Sequence, residues 1–338
     1  MDSTRWGILA PGRIAGTFAR DLALVPDAEL AAVGSRSLDR ATAFARQFGF
    51  SSAYGSYEEL LADESVDAVY VASPHALHVA HVTAAIEAGK HVLCEKPLTL
   101  RAVDAEALFA LAVRSERLLM EAMWTACHPV VRAVADRLRA GEFGVPRHLH
   151  AELGFVVHAA PEDRLNDVAM GAGALLDMGI YPLTFAHLLL GEAEELTATA
   201  VVSDTGVDLD IAIAGRYPGG AVATMTASMT SWSSRRADIA TDRGRLVLED
   251  FHHPSHATFT PTAVGGTNDD VERSASTRLE STEPVIGRGY AHEVLEFQRC
   301  LAEGLLESPL VSHAQTLTIM RQMDRLRQQV GVRYAGDT

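Results

Sequence analysis

The chain contains 338 residues, of which 48% are hydrophobic and 22% charged, and its formal net charge is −15 at pH 7. This composition is ordinary for a globular protein, and the length is sufficient for two domains. The negative charge argues against non-specific binding to nucleic acids or anionic membranes, because the long-range field repels phosphate. A local basic pocket for one phosphorylated ligand is compatible with it.

The cysteines and the apolar segments indicate the compartment. Three widely spaced thiols predict neither a disulfide framework nor a zinc site: Cys94, Cys127 and Cys300. The N-terminus has no long apolar run of the kind found in a secretory signal. The most apolar long stretch, 174–190, carries an aspartate, a proline and a histidine, which argues against a membrane span. We therefore expect a cytoplasmic protein that binds neither membrane nor nucleic acid.

The first predicted unit is a strand at 6–10, a tight turn and an amphipathic helix at 14–24. This order is typical of the opening of a dinucleotide-binding unit. The fingerprint G-x-G-x-x-G/A is imperfect, because an alanine replaces the turn glycine, whereas the second glycine stands where the backbone must approach a pyrophosphate. A plain strand-to-helix turn is the alternative. The candidate cofactor contacts are Ala10, Gly12, Arg13 and Ile14.

A second strand, 30–33, ends in the sequence G-S-R-S. An acidic residue at this point would bind the ribose 2′-hydroxyl of NAD, but the turn contains none. Ser35 and Arg36 instead offer a hydroxyl and a guanidinium, which suit a 2′-phosphate, and Arg40 follows one helical turn later. The pattern therefore predicts NADP as the cofactor, with NAD possible. A solvated basic turn is the alternative.

Strands and helices alternate as far as residue 122. Helices are predicted at 38–48, up to 88 and at 101–114, and strands at 66–72, 91–94 and 118–122. Gly49 is expected to end the first of these helices in a left-handed conformation. Such spacing predicts a doubly wound parallel sheet, a Rossmann domain. No carboxylate or thiol accompanies the histidines of the turn after 66–72, so cofactor contacts or helix-start residues are favoured over metal ligands. The candidates in this turn are Ser73, Pro74, His75 and His78.

The strand at 91–94 leads into Glu95-Lys96-Pro97. Ligands of open α/β sheets bind at the carboxyl ends of the strands, so a charged pair at this point indicates a binding site. A surface turn that simply follows a strand is the alternative.

After Trp124 the alternation stops, and the sequence predicts a first domain over 1–124 and a second over 125–338. Strands without intervening helices predict an α+β domain built on a mainly antiparallel, open sheet. One face of such a sheet stays free for a partner subunit, so we expect a homodimer or homotetramer. Helices are predicted at 129–140, 291–303 and 312–329, and strands at 148–155, 196–202, 208–216, 221–229, 237–241 and 245–249.

The polar stretch 252–282 is not assigned to any element. Its three histidines, at 252, 253 and 256, have no acidic or thiol partner at ligand spacing, so a solvated loop is favoured over a metal site.

The segment 171–182 carries the polar side chains of the second half. Asp177 and Tyr181 are four residues apart and share one face of a helix, where an uncompensated buried carboxylate would be destabilising. That face is expected to line a polar cleft or to pair with a cation. Pro182 cannot donate a hydrogen bond to Met178, so a kink is predicted directly after Tyr181. Simple exposure of both side chains to water is the alternative.

These motifs resemble the glucose-fructose oxidoreductase/inositol dehydrogenase/MocA (Gfo/Idh/MocA) family over nearly the whole chain. The resemblance rests on residues 7–15, Ser73-Pro74 with His78, Glu95-Lys96-Pro97 and 171–181. Residues 120–125, M-E-A-M-W-T, resemble the branch that contains dimeric dihydrodiol dehydrogenase and NADP-dependent D-xylose dehydrogenases. In the wider family a histidine often stands where this chain has Tyr181, and a tyrosine fits that branch.

The resemblance implies hydride transfer between the nicotinamide and a hydroxyl or carbonyl carbon of a sugar, polyol or cyclic diol. It also implies that Lys96 and Tyr181 meet beside the nicotinamide in an interdomain cleft, with Asp177 near them. An unperturbed tyrosine titrates near pH ~10, so Lys96 would favour the phenolate while Tyr181 exchanges the proton with the substrate. Lys96 as the acid/base is the alternative. Asp177 would orient Lys96 or bind a substrate hydroxyl.

Further contacts follow from the same resemblance. Trp124 is expected to form the floor of the substrate pocket, with Arg164 as another substrate contact. The remaining cofactor contacts are Glu95, Lys96, Pro97 and Met123, and no metal is predicted.

Two other functions remain open at this point. A cofactor-binding sensor without turnover would not need Lys96, Asp177 and Tyr181 together. An NAD-dependent redox glycosidase is disfavoured by the phosphate-binding character of Ser35 and Arg36.

Overall fold

The computed structural model describes residues 3–158, 163–262 and 275–334 together with Asp337. It divides the chain into two units, Met1–Cys127 with Ile286–Met320, and His128–Val285 with Arg321–Thr338. The sequence analysis placed every residue after 124 in the second domain and did not anticipate that Ile286–Met320 groups with the first unit. The boundary at residue 124 stays a prediction.

The sheet of the first unit has six strands, all parallel, in the order β3-β2-β1-β4-β5-β6. The order reverses between β1 and β4, the switch point outside which open α/β sheets bind their ligands. The predicted doubly wound parallel sheet is confirmed. Its strands are β1 Thr4–Leu9, β2 Ala28–Gly34, β3 Ser52–Tyr54, β4 Ala68–Val71, β5 His91–Glu95 and β6 Leu119–Ala122.

Helices connect these strands, and their ends follow local capping rules. The Ser37 hydroxyl caps the second helix, which ends at Gly49 in the left-handed conformation (φ +85°), as predicted. The Ser56 hydroxyl accepts the Glu59 N–H at 3.1 Å and so starts the third helix. The helices are α1 Arg13–Leu22, α2 Leu38–Phe48, α3 Tyr57–Ala62, α4 His78–Glu87, α5 Ala102–Arg114 and α6 Trp124–Cys127.

Strand β3 was not predicted from the sequence. It contains only three residues, S-A-Y, and lies at the edge of the sheet, where it pairs with β2 alone. An edge strand of this length has no apolar run that would distinguish it from a loop.

The sheet of the second unit has eight strands in the order β14-β13-β12-β11-β7-β10-β9-β8. The prediction of a mainly antiparallel sheet is confirmed, since only β7 and β10 pair in parallel among the strands described. The strands are β7 Pro146–Gly154, β8 Glu195–Val202, β9 Asp208–Arg216, β10 Val222–Ser228, β11 Ala237–Thr241, β12 Gly244–Leu248, β13 Ala257–Pro261 and β14 Thr277–Leu279.

Alternation along the strands separates the two faces of this sheet. In β9, Ile211 and Ile213 are buried, whereas Ala212 and Ala214, which alternate with them, are exposed. Helix α8, Ile180–Leu190, packs on β7 and β10, and α7, Pro129–Arg139, packs on α8. The two helices near the C-terminus are α9 Tyr290–Ala302 and α10 His313–Val330.

The helical segment that contains Asp177 is irregular, but at a different place from the one predicted. Residues Leu175–Gly179 form a π-helical turn, and α8 then runs on through Pro182. The predicted kink directly after Tyr181 is therefore replaced by a wider turn before it. Pro182 has no N–H to donate to the carbonyl group four residues earlier. The i→i+5 hydrogen bonds of the π-helical turn accommodate this missing bond.

One helical stretch of the described chain, Val168–Leu190, is long and apolar enough to cross a membrane by length and composition. However, 78% of its most apolar window is buried inside the protein. Burial of this kind is also found in the core helix of a globular domain, so the stretch is weak evidence for a membrane span.

The unassigned stretch 252–282 contributes β13 and β14 to the edge of the sheet. The sequences Gly265-Gly266 and Asp269-Asp270 of this stretch lie outside the described residues.

Candidate active site

The turn after β1 has the shape of a dinucleotide-binding turn although its first glycine is replaced. Ala10 adopts the left-handed conformation (φ +72°) that favours glycine. The Gly12 N–H donates to the Ala10 carbonyl at 2.8 Å, and α1 begins at Arg13. A Cβ on Gly12 would meet only the Ala10 carbonyl oxygen, at 4.0 Å. The start of α1 is therefore open to an anion, as a pyrophosphate requires.

The turn after β2 presents hydroxyl and guanidinium groups. Ser35 is buried, and its hydroxyl oxygen accepts the Ser37 N–H at 3.3 Å. Arg36 and Arg40 are exposed. Burial lowers the pKa of His81, and the positive charge of Arg36 lowers this pKa further. The turn thus combines a buried, hydrogen-bonded hydroxyl with two exposed cations, which suits a phosphate group.

His78, the first residue of α4, ties two turns of the first unit together. It is completely buried; its Nε2 lies 2.8 Å from the Ser73 carbonyl oxygen and its Nδ1 lies 3.0 Å from that of Pro97. Burial lowers the pKa of His78 to about 4, and the carbonyl groups of Ser73, Pro97 and Leu98 oppose this shift. His75 is buried beside it, with 5.7 Å between ring centroids. Direct contact of these histidines with the cofactor stays a prediction.

The Glu95-Lys96-Pro97 turn at the end of β5 is held by buried side chains. The Tyr70 hydroxyl donates to the Glu95 carboxylate, whose other oxygen accepts the Lys96 N–H at 3.1 Å. The Lys96–Pro97 peptide bond is cis. Lys96 itself is only half-buried. Lys96 is therefore less buried than Glu95 and Pro97 on either side of it.

Glu121, in β6, holds the same turn through a hydrogen bond. It accepts the Leu98 N–H at 2.9 Å and the Thr316 hydroxyl at 2.9 Å, and it is 4% exposed. Burial raises its pKa, and these hydrogen bonds and the charge of Lys96 oppose the rise. The sequence analysis missed Glu121, although a carboxylate inside the apolar strand L-M-E-A was a usable signal.

Two further buried groups of the first unit were also missed. Glu293, in α9, is completely buried, and burial together with the carboxylates of Glu95 and Asp21 raises its pKa well above the ordinary value. Tyr290 stacks on Trp124 with 4.4 Å between ring centroids and 10° between planes. One face of the Trp124 ring is therefore covered by Tyr290.

In the second unit, Asp177 and Tyr181 lie on successive turns of one helical segment. The Asp177 side chain is half-buried, whereas Tyr181 is 8% exposed. The Tyr181 ring packs edge-on against His252 with 5.5 Å between centroids. The interpretation of His252 as part of a solvated loop is wrong, because Phe251 anchors this segment in the core beside Phe185.

Arg164 lies apart from regular structure, at the start of the short 3₁₀ turn Arg164–Asn166. The turn is capped by Asp163, which accepts the Leu165 N–H at 3.0 Å, and Arg164 is exposed. Its contact with substrate stays a prediction. In the described chain, no group of three or more histidine, cysteine, aspartate or glutamate side chains is placed to hold a metal ion.

Comparison with known families and proteins accounts for both units. Residues 4–123 match the model of the GFO/IDH/MocA oxidoreductase family with an NAD-binding Rossmann fold, and residues 131–247 match the GFO/IDH/MocA C-terminal domain. The chain belongs to the Gfo/Idh/MocA family. The family predicted from the sequence is thereby confirmed, and so is an oxidoreductase with a nucleotide-binding Rossmann domain.

Relatives of this Gfo/Idh/MocA protein have been named and solved. The chain is 33% identical to the trans-1,2-dihydrobenzene-1,2-diol dehydrogenase of Mus musculus over 345 residues, which covers 98% of each chain. A 3-ketoreductase from Actinomadura kijaniata, solved with NADP and TDP-benzene, is 30% identical, with a TM-score of 0.84 and coverage of 98% and 99%. An aldose-aldose oxidoreductase from Caulobacter crescentus shares the fold, with a TM-score of 0.84 at 23% identity and coverage of 97% and 98%.

Proposed function

We propose that this oxidoreductase is an NADP-preferring dehydrogenase or reductase that acts on a CH–OH or carbonyl carbon of a sugar, a polyol or a cyclic diol. The observation that carries the proposal is the rigid turn after β5. Tyr70, His78 and Glu121 fix its backbone, while the Lys96 side chain is left only half-buried. The names of the relatives, a diol dehydrogenase and a ketoreductase, support this class of reaction.

The residues of the first unit fit NADP. The open backbone at Gly12 and the start of α1, with Arg13 and Ile14, would receive the pyrophosphate. Ser35, Arg36 and Arg40 would bind the 2′-phosphate, since a guanidinium and a hydroxyl suit this group better than the ribose of NAD. When bound, the nicotinamide supplies the hydride chemistry. The further contacts that we propose are Ala10, Ser73, Pro74, His75, His78, Glu95, Pro97 and Met123.

Tyr181 is proposed to exchange the proton with the substrate oxygen. A phenol needs a neighbouring cation to ionise near neutral pH, and Lys96 is proposed to supply that charge. Asp177 would orient Lys96 or accept a hydrogen bond from a substrate hydroxyl. Trp124 and Arg164 are proposed as contacts of the substrate ring and its substituents.

Turnover of a substrate panel tests the proposal. We expect NADPH or NADP⁺ to be consumed with at least one of a series of aldoses, polyols and trans-dihydrodiols. Tyr181→Phe should lower kcat by about a hundredfold, the usual contribution of a general acid or base, with little change in NADPH affinity. A near-wild-type kcat would remove Tyr181 from the proton path.

Controls separate the proposal from a cofactor-binding sensor. Tyr217 is a matched tyrosine, because it is 1% exposed and its hydroxyl has no hydrogen-bond partner among the described residues. Tyr217→Phe should keep the kcat of the wild type. NADPH that binds, as seen by fluorescence, without turnover of any substrate in the panel would favour the sensor instead.

We also propose a homodimer or homotetramer formed through the free face of the second sheet. Ala212 and Ala214 present small side chains there, and Val201 and Val222 are 58% and 45% exposed. Ala212→Arg should dissociate the assembly in light-scattering measurements. A wild-type protein that is monomeric at micromolar concentration would contradict this assignment.

The cytoplasm is the proposed location. Cys94, Cys127 and Cys300 are buried and form no disulfide, which suits a reducing compartment. Cell fractionation tests this, and recovery of the protein in a secreted or membrane fraction would overturn it.

A further inference from the structure

Asp208, the first residue of β9, supports the start of the helical segment that carries Asp177. It is 1% exposed, and its Oδ2 accepts the Leu175 N–H at 2.7 Å. The first N–H groups of a helical segment have no partner within the segment, so this bond satisfies a donor that would otherwise be unpaired. A Cβ on Gly173 would clash with the other carboxylate oxygen. Asp208 therefore occupies space that exists only because residue 173 is a glycine.

Tyr334, near the C-terminus, holds Ala172, which lies three residues before Leu175. Its hydroxyl donates to the Ala172 carbonyl oxygen at 3.1 Å. Its backbone N–H donates to the Asp337 carboxylate at 2.8 Å, and Arg327 donates to the same oxygen at 2.6 Å. The Arg327 guanidinium also lies over the Tyr334 ring, 4.7 Å from its centroid. The end of the chain is thus fastened to the turn that precedes Leu175.

The electrostatic environment supports the direction of these hydrogen bonds. Burial, followed by the negative charge of Asp208, raises the pKa of Tyr334, so its hydroxyl remains a donor at all ordinary pH values. Arg327 is 3% exposed and pairs with Asp324 at 2.6 Å and with Asp337. The cation is therefore neutralised by carboxylates of its own helix and of the C-terminal end.

We propose that Asp208 and Tyr334 are positioning residues that hold Ala172 and Leu175 and thereby fix how the π-helical turn presents Asp177 and Tyr181. The proposal rests on the proposed function of those two residues. The hydrogen bonds that define this role go to the backbone, from Leu175 N–H to Asp208 and from Tyr334 to the Ala172 carbonyl oxygen. Their effect on turnover is transmitted through the backbone of residues 172–175.

Amide hydrogen exchange and steady-state kinetics of full-length variants test this inference. Asp208→Ala removes the acceptor, and Tyr334→Phe removes only a hydroxyl and should fold normally. We expect faster exchange confined to residues 171–181 in both variants. We also expect a fall in kcat of about tenfold for Asp208→Ala, the usual effect of losing a hydrogen bond to a charged group, with an unchanged KM for NADPH.

Conservative and control variants separate positioning from general stability. Asp208→Asn keeps an oxygen that can accept the Leu175 N–H, so it should restore most of kcat. Asp242 is the matched control, because its carboxylate accepts the Val145 N–H at 2.8 Å elsewhere in the second unit. Asp242→Ala should leave both kcat and the exchange of 171–181 unchanged.

The outcomes distinguish this inference from the proposed function. Unchanged exchange of 171–181 in Asp208→Ala and Tyr334→Phe would overturn the inference, whatever the activity. Faster exchange with an unchanged kcat would also overturn it. A wild-type protein without turnover would refute the proposed function alone, and the exchange measurement would still decide whether Asp208 and Tyr334 hold the segment.

Discussion

Two glycines precede proposed functional helices of this protein, and they serve different purposes. Gly12, before α1, has an ordinary φ of −101° and open space where a Cβ would project. Gly173, before the π-helical turn, has a φ of +147° and lies against the carboxylate of Asp208. The first glycine leaves room for a ligand, whereas the second leaves room for another part of the chain.

The difference shows how each unit fixes its functional residues. In the first unit, turns at the ends of parallel strands expose backbone groups toward the place where ligands bind. In the second unit, the helical segment is held by side chains distant in the sequence, Asp208 and Tyr334. The first arrangement depends on local sequence, and the second depends on tertiary packing.

Gly173→Ala should have the largest effect. A methyl group would clash with Asp208, and the positive φ would add backbone strain, so we expect a loss of about 3 kcal/mol in the free energy of unfolding. Denaturation in urea measures this loss. A variant as stable as the wild type would show that the carboxylate of Asp208 can move aside, and would weaken the contrast between the two glycines.

Gly12→Ala should leave stability unchanged and act on the ligand alone. A methyl group at this position would clash with no atom of the protein and would not strain φ. It would, however, lie between the backbone and a pyrophosphate. We expect NADPH affinity to fall by about tenfold or more in a fluorescence titration, roughly the cost of one lost charge-assisted contact. Unaltered affinity would mean that the pyrophosphate does not approach Gly12.

Asp208→Asn should change the pH dependence of stability. Burial raises the pKa of Asp208 from 3.8 to about 6, and the N–H groups of Leu175 and Asp208, followed by the charge of Arg327, only partly oppose this. A raised carboxyl pKa favours folding below the unfolded pKa, and this contribution is lost as the pH rises through the folded value. The neutral asparagine does not titrate. Its neighbours, Arg327 and Tyr334, are the same as those of the aspartate.

The expected result is a difference in unfolding free energy, variant minus wild type, that grows by about 1 kcal/mol between pH 5 and pH 8. Urea denaturation of both proteins at each pH measures it. Asp242→Asn serves as the control, because Asp242 is exposed and should show no such growth. A difference that stays constant with pH would mean that Asp208 is ionised in the folded state throughout this range.

The first unit could largely be predicted from its sequence. Buried parallel strands are continuous apolar runs, and glycines or capping residues mark the helix ends, so Gly49 was assigned correctly. Strand β3 was missed because three residues at a sheet edge carry no periodic signal. Tyr70 was missed for a different reason: its hydrogen bond to Glu95 joins two strands, and no local pattern reports such a pair. The carboxylate of Glu121 inside an apolar strand, by contrast, was a signal that was not used.

The second unit could be predicted only in outline. Alternation on a period of two identified most of its strands. The burial of His252 against Tyr181 could not be predicted, because it depends on Phe251 entering the core. A kink after Tyr181 was predicted instead of the π-helical turn that precedes it. Pro182 shows from the sequence that one helical hydrogen bond is missing, but it does not show how the helix adjusts to this loss. Asp208 and Tyr334 gave no signal at all before their contacts were known.

Ala10→Gly should have the smallest effect and the opposite sign to Gly173→Ala. Ala10 adopts φ +72°, which costs an alanine about 1 kcal/mol relative to glycine, and the greater freedom of glycine in the unfolded chain offsets part of this gain. We therefore expect a net stabilisation of about 0.5 kcal/mol in urea denaturation, with NADPH affinity within twofold of the wild type.

Ala15→Gly is the matched control for this small effect. Ala15 lies in the same turn-and-helix unit, is fully buried and is part of α1, so the same substitution should destabilise the protein by about 1 kcal/mol. If Ala10→Gly were destabilising as well, the methyl group of Ala10 would have to contribute packing that outweighs its strained φ. If it weakened NADPH binding, the turn after β1 would need the alanine to hold its shape. The alanine that replaces glycine in the fingerprint would then contribute to ligand binding. Ala10 would, like Gly12, be a ligand-binding position and not merely a position with a strained φ.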